Sequence, residues 1–308
     1  MDELVLPTTR VQWLIGNICN YNCWYCPDHL HSGDTKIYTE EQLQDGISFL
    51  CNLIRAKGRK PSIEFVGGEP TRRDSIIGGL QSSGTNQPGG HRLVTNGSAD
   101  LEWFKENYIY FSEIEISYHT DWAVKNHIIE VVEFLQKIEE DKPALNIKIH
   151  CTNKDSQWQK AINVYEEFLD REYPVQLKLL YSNFTKGNQL MPYKNYQLKY
   201  YYESIGQTWD PTPTEYKDES GYIPKDRRRN DIEETKTLRH EYDRLGKLCS
   251  SGITQLIVWK NGEVYRGYCK SGGSLGSVIR KDVVLPDEPH VCDIPLCKNG
   301  FDRCNSAN

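Results

Sequence analysis

Val11-Gln12-Trp13-Leu14-Ile15-Gly16-Asn17-Ile18-Cys19-Asn20-Tyr21-Asn22-Cys23-Trp24-Tyr25-Cys26 begins as an apolar run, breaks at glycine and then delivers three cysteines. Residues 11–17 predict a buried strand, and the turn residues after them predict a loop. The arrangement recurs downstream, where Ser62-Ile63-Glu64-Phe65-Val66 leads into Gly67-Gly68-Glu69-Pro70. Further strands are expected at 91–95, 113–118, 145–151 and 175–181, with helical patterns between them. The first helix opens on Thr39-Glu40-Glu41-Gln42, a capping box, and stops at Gly58. It carries Leu43, Ile47, Leu50, Cys51 and Ile54 on one face; later helices group Val124, Ile128, Val131, Val132 and Leu135, then Trp158, Ile162, Tyr165 and Leu169. Alternating strands and helices imply a parallel sheet. A closed eight-unit barrel takes about 250 residues, more than this segment holds. The expected fold class is therefore α/β, a partial (β/α)6 barrel.

The chain has 308 residues, with 37 basic and 43 acidic side chains and a net charge of −6. That balance gives no general affinity for nucleic acid or a membrane surface. The start, Met1 to Pro7, is acidic and does not resemble a signal peptide. No run of roughly 18 apolar residues could span a bilayer. A cytoplasmic protein is expected, with neither membrane nor nucleic acid as a partner.

The core is expected over 1–205, followed by an insertion or linker over 206–245 that holds prolines and the basic run 225–229. A cysteine-rich extension is expected over 246–308. In it Ile253–Trp259 and Glu263–Tyr268 flank Asn261-Gly262, the favoured residues of a two-residue hairpin turn.

Ten cysteines fall mainly into two groups: Cys19, Cys23 and Cys26, then Cys249, Cys269, Cys292, Cys297 and Cys304. In a reducing compartment such clusters read as metal ligands or reactive groups rather than disulfides. The first is C-x3-C-x2-C at the carboxyl end of a strand, where barrel active sites are built. Three thiolates can hold three irons of a four-iron cluster and leave the fourth open to a small molecule. The alternative is zinc, with His29 or His31 completing a Cys3His site. In the Gly67-Gly68-Glu69-Pro70 turn, glycines permit close backbone approach and the carboxylate can accept from an ammonium group.

Together these residues resemble the radical S-adenosylmethionine (SAM) superfamily, whose signature pairs C-x3-C-x-aromatic-C after the first strand with Gly-Gly-Glu after the second. The resemblance covers about residues 10–180. It implies that Cys19, Cys23 and Cys26 ligate a 4Fe–4S cluster whose fourth iron is chelated by SAM. It places Tyr25 near the adenine, Gly67, Gly68 and Glu69 around the methionine amino group, and Ser117 against ribose or carboxylate. The family's glycine-rich motif near the fifth strand is absent from His150-Cys151-Thr152-Asn153. The implied activity is reductive cleavage of SAM to a 5′-deoxyadenosyl radical that abstracts hydrogen from a substrate.

The hairpin is expected to bring Cys249 and Cys269 together at its open end, and a metal would stabilise the polar tail. This region is similar to the twitch and SPASM extensions of radical SAM enzymes, which implies an auxiliary 4Fe–4S cluster. Its ligands would be Cys249, Cys269, Cys292 and Cys297, with Cys304 spare or substituting; the alternative is a zinc ribbon. The resemblance implies oxidation or cross-linking of a ribosomal peptide, with dehydrogenation of a sugar or aminocyclitol as the alternative. It also implies a reductant such as flavodoxin or ferredoxin. Because the first cysteine falls at residue 19, a peptide modifier is expected to use a separate recognition protein. A non-catalytic iron–sulfur or zinc protein is the alternative of another class.

Cys51 and Cys151 are expected in the core. His119 and His150 stand at strand ends, either structural or able to move a proton. Tyr193, Tyr196 and Tyr200 recur at helical spacing and are expected to pack inward.

Overall fold

The computed structural model describes residues 6–26, 38–84, 90–180, 190–208 and 245–294. Six βα units follow one another: β1 (Thr8–Leu14), α1 (Glu40–Ala56), β2 (Lys60–Val66), α2 (Ser75–Ser82), β3 (His91–Thr95), α3 (Leu101–Asn107), β4 (Phe111–His119), α4 (Lys125–Lys137), β5 (Ala144–Cys151), α5 (Asp155–Asp170), β6 (Val175–Leu179) and α6 (Asn195–Ser204). Then come β7 (Leu248–Cys249), β8 (Gln255–Val258), β9 (Glu263–Tyr265), β10 (Ser274–Ser277) and β11 (His290–Val291). The first six strands are parallel neighbours in chain order, as an open partial barrel requires.

Local chemistry sets the elements. Thr39 accepts from the Gln42 N–H, and the Gln42 side chain accepts from the Thr39 N–H, so the expected capping box closes. The predicted helix face, Leu43, Ile47, Leu50, Cys51 and Ile54, is wholly buried. Two predicted positions differ. Val124 caps α4 from outside and is exposed, because the helix begins one residue later. Leu169 is exposed, while Phe168 takes the buried position on α5. Among the tyrosines, Tyr193 packs against Trp158 but Tyr196 points outward, its hydroxyl bonded to Asp155.

The C-terminal hairpin is present, with a different turn from the one expected. The Gly262 N–H donates to the Trp259 carbonyl at 2.8 Å, and Gly262 alone of the Asn261-Gly262 pair has positive φ, +83°. Lys260 and Asn261 therefore form the turn centre, and Gly262 occupies the left-handed bulge position of a longer hairpin loop. The hairpin also joins the core sheet: β8 lies parallel to β1, with Val11 opposite Leu256 and Trp13 opposite Val258. The result is a continuous nine-stranded sheet, ordered β10-β9-β8-β1-β2-β3-β4-β5-β6.

Strand alternation separates the two faces of this sheet. Ile114, Ile116 and Tyr118 on β4, Ile147 and Ile149 on β5, and Val175 and Leu177 on β6 belong to the buried core shared with the helices. The opposite face carries Glu64, Arg92, Glu113, Glu115, Lys148 and Lys178. Arg92 bridges Glu64 (3.2 Å), Glu113 (3.1 Å) and Glu115 (2.5 Å), and Lys148 reaches the same Glu115 oxygen at 2.6 Å. The apolar face takes the helices. The charged face is the concave one.

Candidate active site

The two sequence motifs meet through their backbones. After β1 the chain turns at Gly16, and the Ile18 carbonyl accepts the Glu69 N–H at 2.7 Å. A Cβ on Gly68 would stand 2.3 Å from that carbonyl oxygen, and one on Gly67 would stand 2.9 Å from the Gly16 oxygen. Both glycines have positive φ, +92° and +54°. Their absence of side chains thus serves the contact between the β1 and β2 loops. The sequence reading assigned this freedom to ligand approach; the neighbour that requires it here is the cysteine loop itself.

Glu69 is buried and holds the next loop as well. Its Oε1 accepts from Thr71 N–H (3.1 Å), Thr71 Oγ1 (2.8 Å) and Thr95 Oγ1 (2.6 Å), while Oε2 accepts from Asn96 N–H (2.6 Å). Burial pushes the carboxyl pKa up against the opposing pull of these donors. Asn96 then reaches back, donating to Asn20 Oδ1 at 3.0 Å and lying 3.9 Å from Cys19 Sγ. The ends of β1, β2 and β3 form one hydrogen-bonded unit.

Across the mouth stands β4. Cys23 Sγ lies 3.3 Å from His119 Nδ1, and the Tyr25 hydroxyl lies 2.6 Å from the same nitrogen, its ring parallel to the imidazole. Tyr21 meets His119 edge-on and stacks on Trp122. Burial pushes the Cys23 thiol up to about 11 and raises that of Cys19, where nearby Glu69 adds to the shift. His119 is lowered to about 4 by burial. Ser117 is buried two residues before His119, and alternation puts both on the concave face.

Among the described residues no three Cys, His, Asp or Glu side chains converge as a metal site. The donor chemistry nonetheless fits a thiolate-bound group. Cys19 Sγ accepts the Tyr21 N–H at 3.4 Å and faces the Asn96 amide, both of which favour negative charge on sulfur. Three soft ligands on one loop suit iron–sulfur or zinc. His29 and His31, the alternative zinc ligands, lie outside the described residues, as do the 225–229 run, Cys297 and Cys304.

The second cysteine group includes a short ladder of its own. Cys249 lies on β7, opposite His290 on β11, and the Cys292 N–H donates to the Lys247 carbonyl at 2.9 Å. Cys249, His290 and Cys292 therefore share one face of a two-stranded ladder, opposite the exposed Leu248 and Val291. Ser271 Oγ joins His290 Nε2 (2.8 Å), Asp293 Oδ1 (2.5 Å) and Cys292 Sγ (3.7 Å). Cys269 precedes Ser271 by a short turn. Sequence reading did not single out His290, Ser271 or Asp293: β11 is two residues long and leaves no periodic signal, and Ser271 and Asp293 lie outside any strand.

No known family profile matches the sequence, and no curated protein does. Solved structures to which the chain is similar include anSMEcpe with bound AdoMet, 20% identical, covering 89% of this chain and 78% of that one at a TM-score of 0.48. BtrN in complex with AdoMet and 2-DOIA is 13% identical, covering 90% and 80% at a TM-score of 0.37. Streptococcus suis SuiB is 13% identical, covering 91% and 66% at a TM-score of 0.46.

Proposed function

We propose that this chain is a radical SAM enzyme that abstracts hydrogen from a substrate held against the concave face of the sheet. The observation that carries the reading is the backbone lock between the C-x3-C-x2-C loop and the Gly67-Gly68-Glu69 loop, made by Glu69 N–H and the Ile18 carbonyl. Cys19, Cys23 and Cys26 would hold the cluster. That cluster would supply the one-electron reductive cleavage of SAM to methionine and a 5′-deoxyadenosyl radical.

The chain's own residues do the rest. Glu69 fixes the positions of Thr95 and Asn96, and through Asn96 the approach to Cys19. Tyr25 and His119 form an aromatic wall between the cysteine loop and β4, where Tyr25 would face adenine. Ser117 offers a hydroxyl to ribose or carboxylate. The sheet and its loops keep water and stray hydrogen donors from the radical. The electron for each cleavage would come from a flavodoxin- or ferredoxin-like donor.

The substrate reading is oxidation or cross-linking of a ribosomal peptide presented by a separate recognition protein. Cys249, Cys269 and Cys292, with Cys297 or Cys304, would hold an auxiliary 4Fe–4S cluster, which would supply a one-electron acceptor for an oxidation. The second reading, dehydrogenation of a small molecule, is favoured by the ion-paired concave face, which suits a polar ligand.

Anaerobic reconstitution with iron and sulfide counts tests the two sites together. About eight irons per chain are expected for two four-iron clusters. About four would remove the auxiliary cluster. Zinc without iron would overturn the reading.

A further inference from the structure

The charged concave face has one corner whose partners do not balance. Pairing in register places His119 opposite His150 and His150 opposite Lys178, a row across the carboxyl ends of β4, β5 and β6. One step below, Lys148 is already committed to Glu115, which Arg92 shares. Glu64 and Glu113 are likewise held by Arg92. Among the described residues Lys178 has no ion pair, although its ammonium senses Glu115, Lys148, Arg92 and Glu64. Its side chain is exposed to solvent. A cation without an ion pair at the carboxyl end of β6 is available to meet an anion from solvent.

His150 gives the second, independent sign. It is 9% exposed, and neither ring nitrogen has a hydrogen-bond partner. Buried polar atoms without partners are costly, and each calls for an explanation such as a ligand that completes it. Burial, with His119 and the two lysines nearby, lowers its pKa well below the ordinary value, so the ring is neutral and offers one N–H. His119 lies beside it, ring centroids 4.4 Å apart and tilted by 60°, but makes no hydrogen bond to either His150 nitrogen.

We propose that Lys178 and His150 form a carboxylate-binding site at the carboxyl ends of β5 and β6, with the ammonium supplying charge and the imidazole N–H supplying direction. A carboxylate can accept from both at once, as charge-assisted hydrogen bonds require. Glu64, Glu113 and Glu115 repel an anion from the β2–β4 side of the face, and with Lys148 and Arg92 held by those carboxylates, Lys178 is the cation without an ion pair among the described residues of that face. The carboxylate belongs to the substrate or to the amino-acid end of SAM. Only the assignment to substrate rests on the proposed function; the anion site itself does not.

The test uses the full chain, without and then with reconstitution. Histidine ring 15N resonances are followed while acetate is added, and the His150 signal is identified by its loss in His150→Gln. Acetate is expected to shift that signal saturably, about tenfold more weakly in Lys178→Met, with the affinity restored in Lys178→Arg. A shift that never saturates, one unchanged in Lys178→Met, or one produced equally by methylammonium would overturn the site. Circular dichroism of each variant separates lost binding from lost fold. Calorimetry of acetate is then repeated with the reconstituted protein. Displacement of acetate by SAM keeps the site and assigns it to SAM; acetate binding beside SAM keeps it and assigns it to the substrate. Failure of SAM cleavage alone would sink the proposed function and leave the acetate result standing.

Discussion

The Glu69 N–H donates to the Ile18 carbonyl at 2.7 Å, so the residue just before Cys19 is bonded to the acidic end of the Gly67-Gly68-Glu69 loop. Two motifs far apart in sequence become one structural unit, and the cysteine loop inherits its position from β2. A substitution at Gly68 tests that dependence directly.

Gly68→Ala places a Cβ 2.3 Å from the Ile18 oxygen at a φ of +54°. Left-handed backbone for a non-glycine residue costs about 1–2 kcal/mol before any clash is counted. Urea denaturation should show a loss at least that large, and the folded fraction should retain less iron after reconstitution. A variant with unchanged stability and iron content would show that the loop contact does not position Cys19.

Stability should fall in acid partly through His91, at the start of β3. Its Nδ1 accepts the Ile63 N–H at 3.1 Å, and burial first, then Arg55 and Lys60, lowers its pKa to about 4 from 6.5. The unfolded state binds the proton more readily, so His91's contribution is complete above pH 6.5 and is lost as pH falls towards 4. The shift corresponds to about 3 kcal/mol. His91→Asn should flatten the stability profile in that interval, as measured by denaturation at several pH values.

Thr39→Ala removes one half of the α1 capping box without touching the site. It should lower stability by about 1 kcal/mol while iron content and SAM cleavage stay as in the parent chain.

Cys249→Ala and Cys292→Ala should each remove about four irons per chain and leave SAM cleavage intact, because their ladder is separate from the cysteine loop. Iron analysis beside an assay for 5′-deoxyadenosine reads both. Unchanged iron in both variants would place the second metal elsewhere or remove it.

Much of this was legible in local sequence. The capping box at Thr39 and the strand at His91–Thr95 declare themselves through short-range chemistry, and both fall where expected. The alternation Glu113-Ile114-Glu115-Ile116-Ser117-Tyr118-His119 marked a strand, but its meaning lay in the partners. Parallel strands covered on both faces read as continuous apolar runs, so this alternation was the signal of an uncovered, charged face. The pairing of β8 with β1 joins residues far apart in sequence and has no local signature. The same holds for the β7–β11 ladder that sets Cys249 beside His290. The contact of Tyr25 with His119 depends on how a loop folds across a sheet, which spacing alone does not specify.

The central claim is that the Cys19, Cys23 and Cys26 loop supports SAM cleavage, and one measurement reaches it directly. The full chain is reconstituted anaerobically, given SAM and dithionite, and assayed for 5′-deoxyadenosine beside Cys23→Ala treated identically. The account predicts 5′-deoxyadenosine from the parent chain and none from the variant. No product from an iron-loaded parent, or equal product from both, would contradict it.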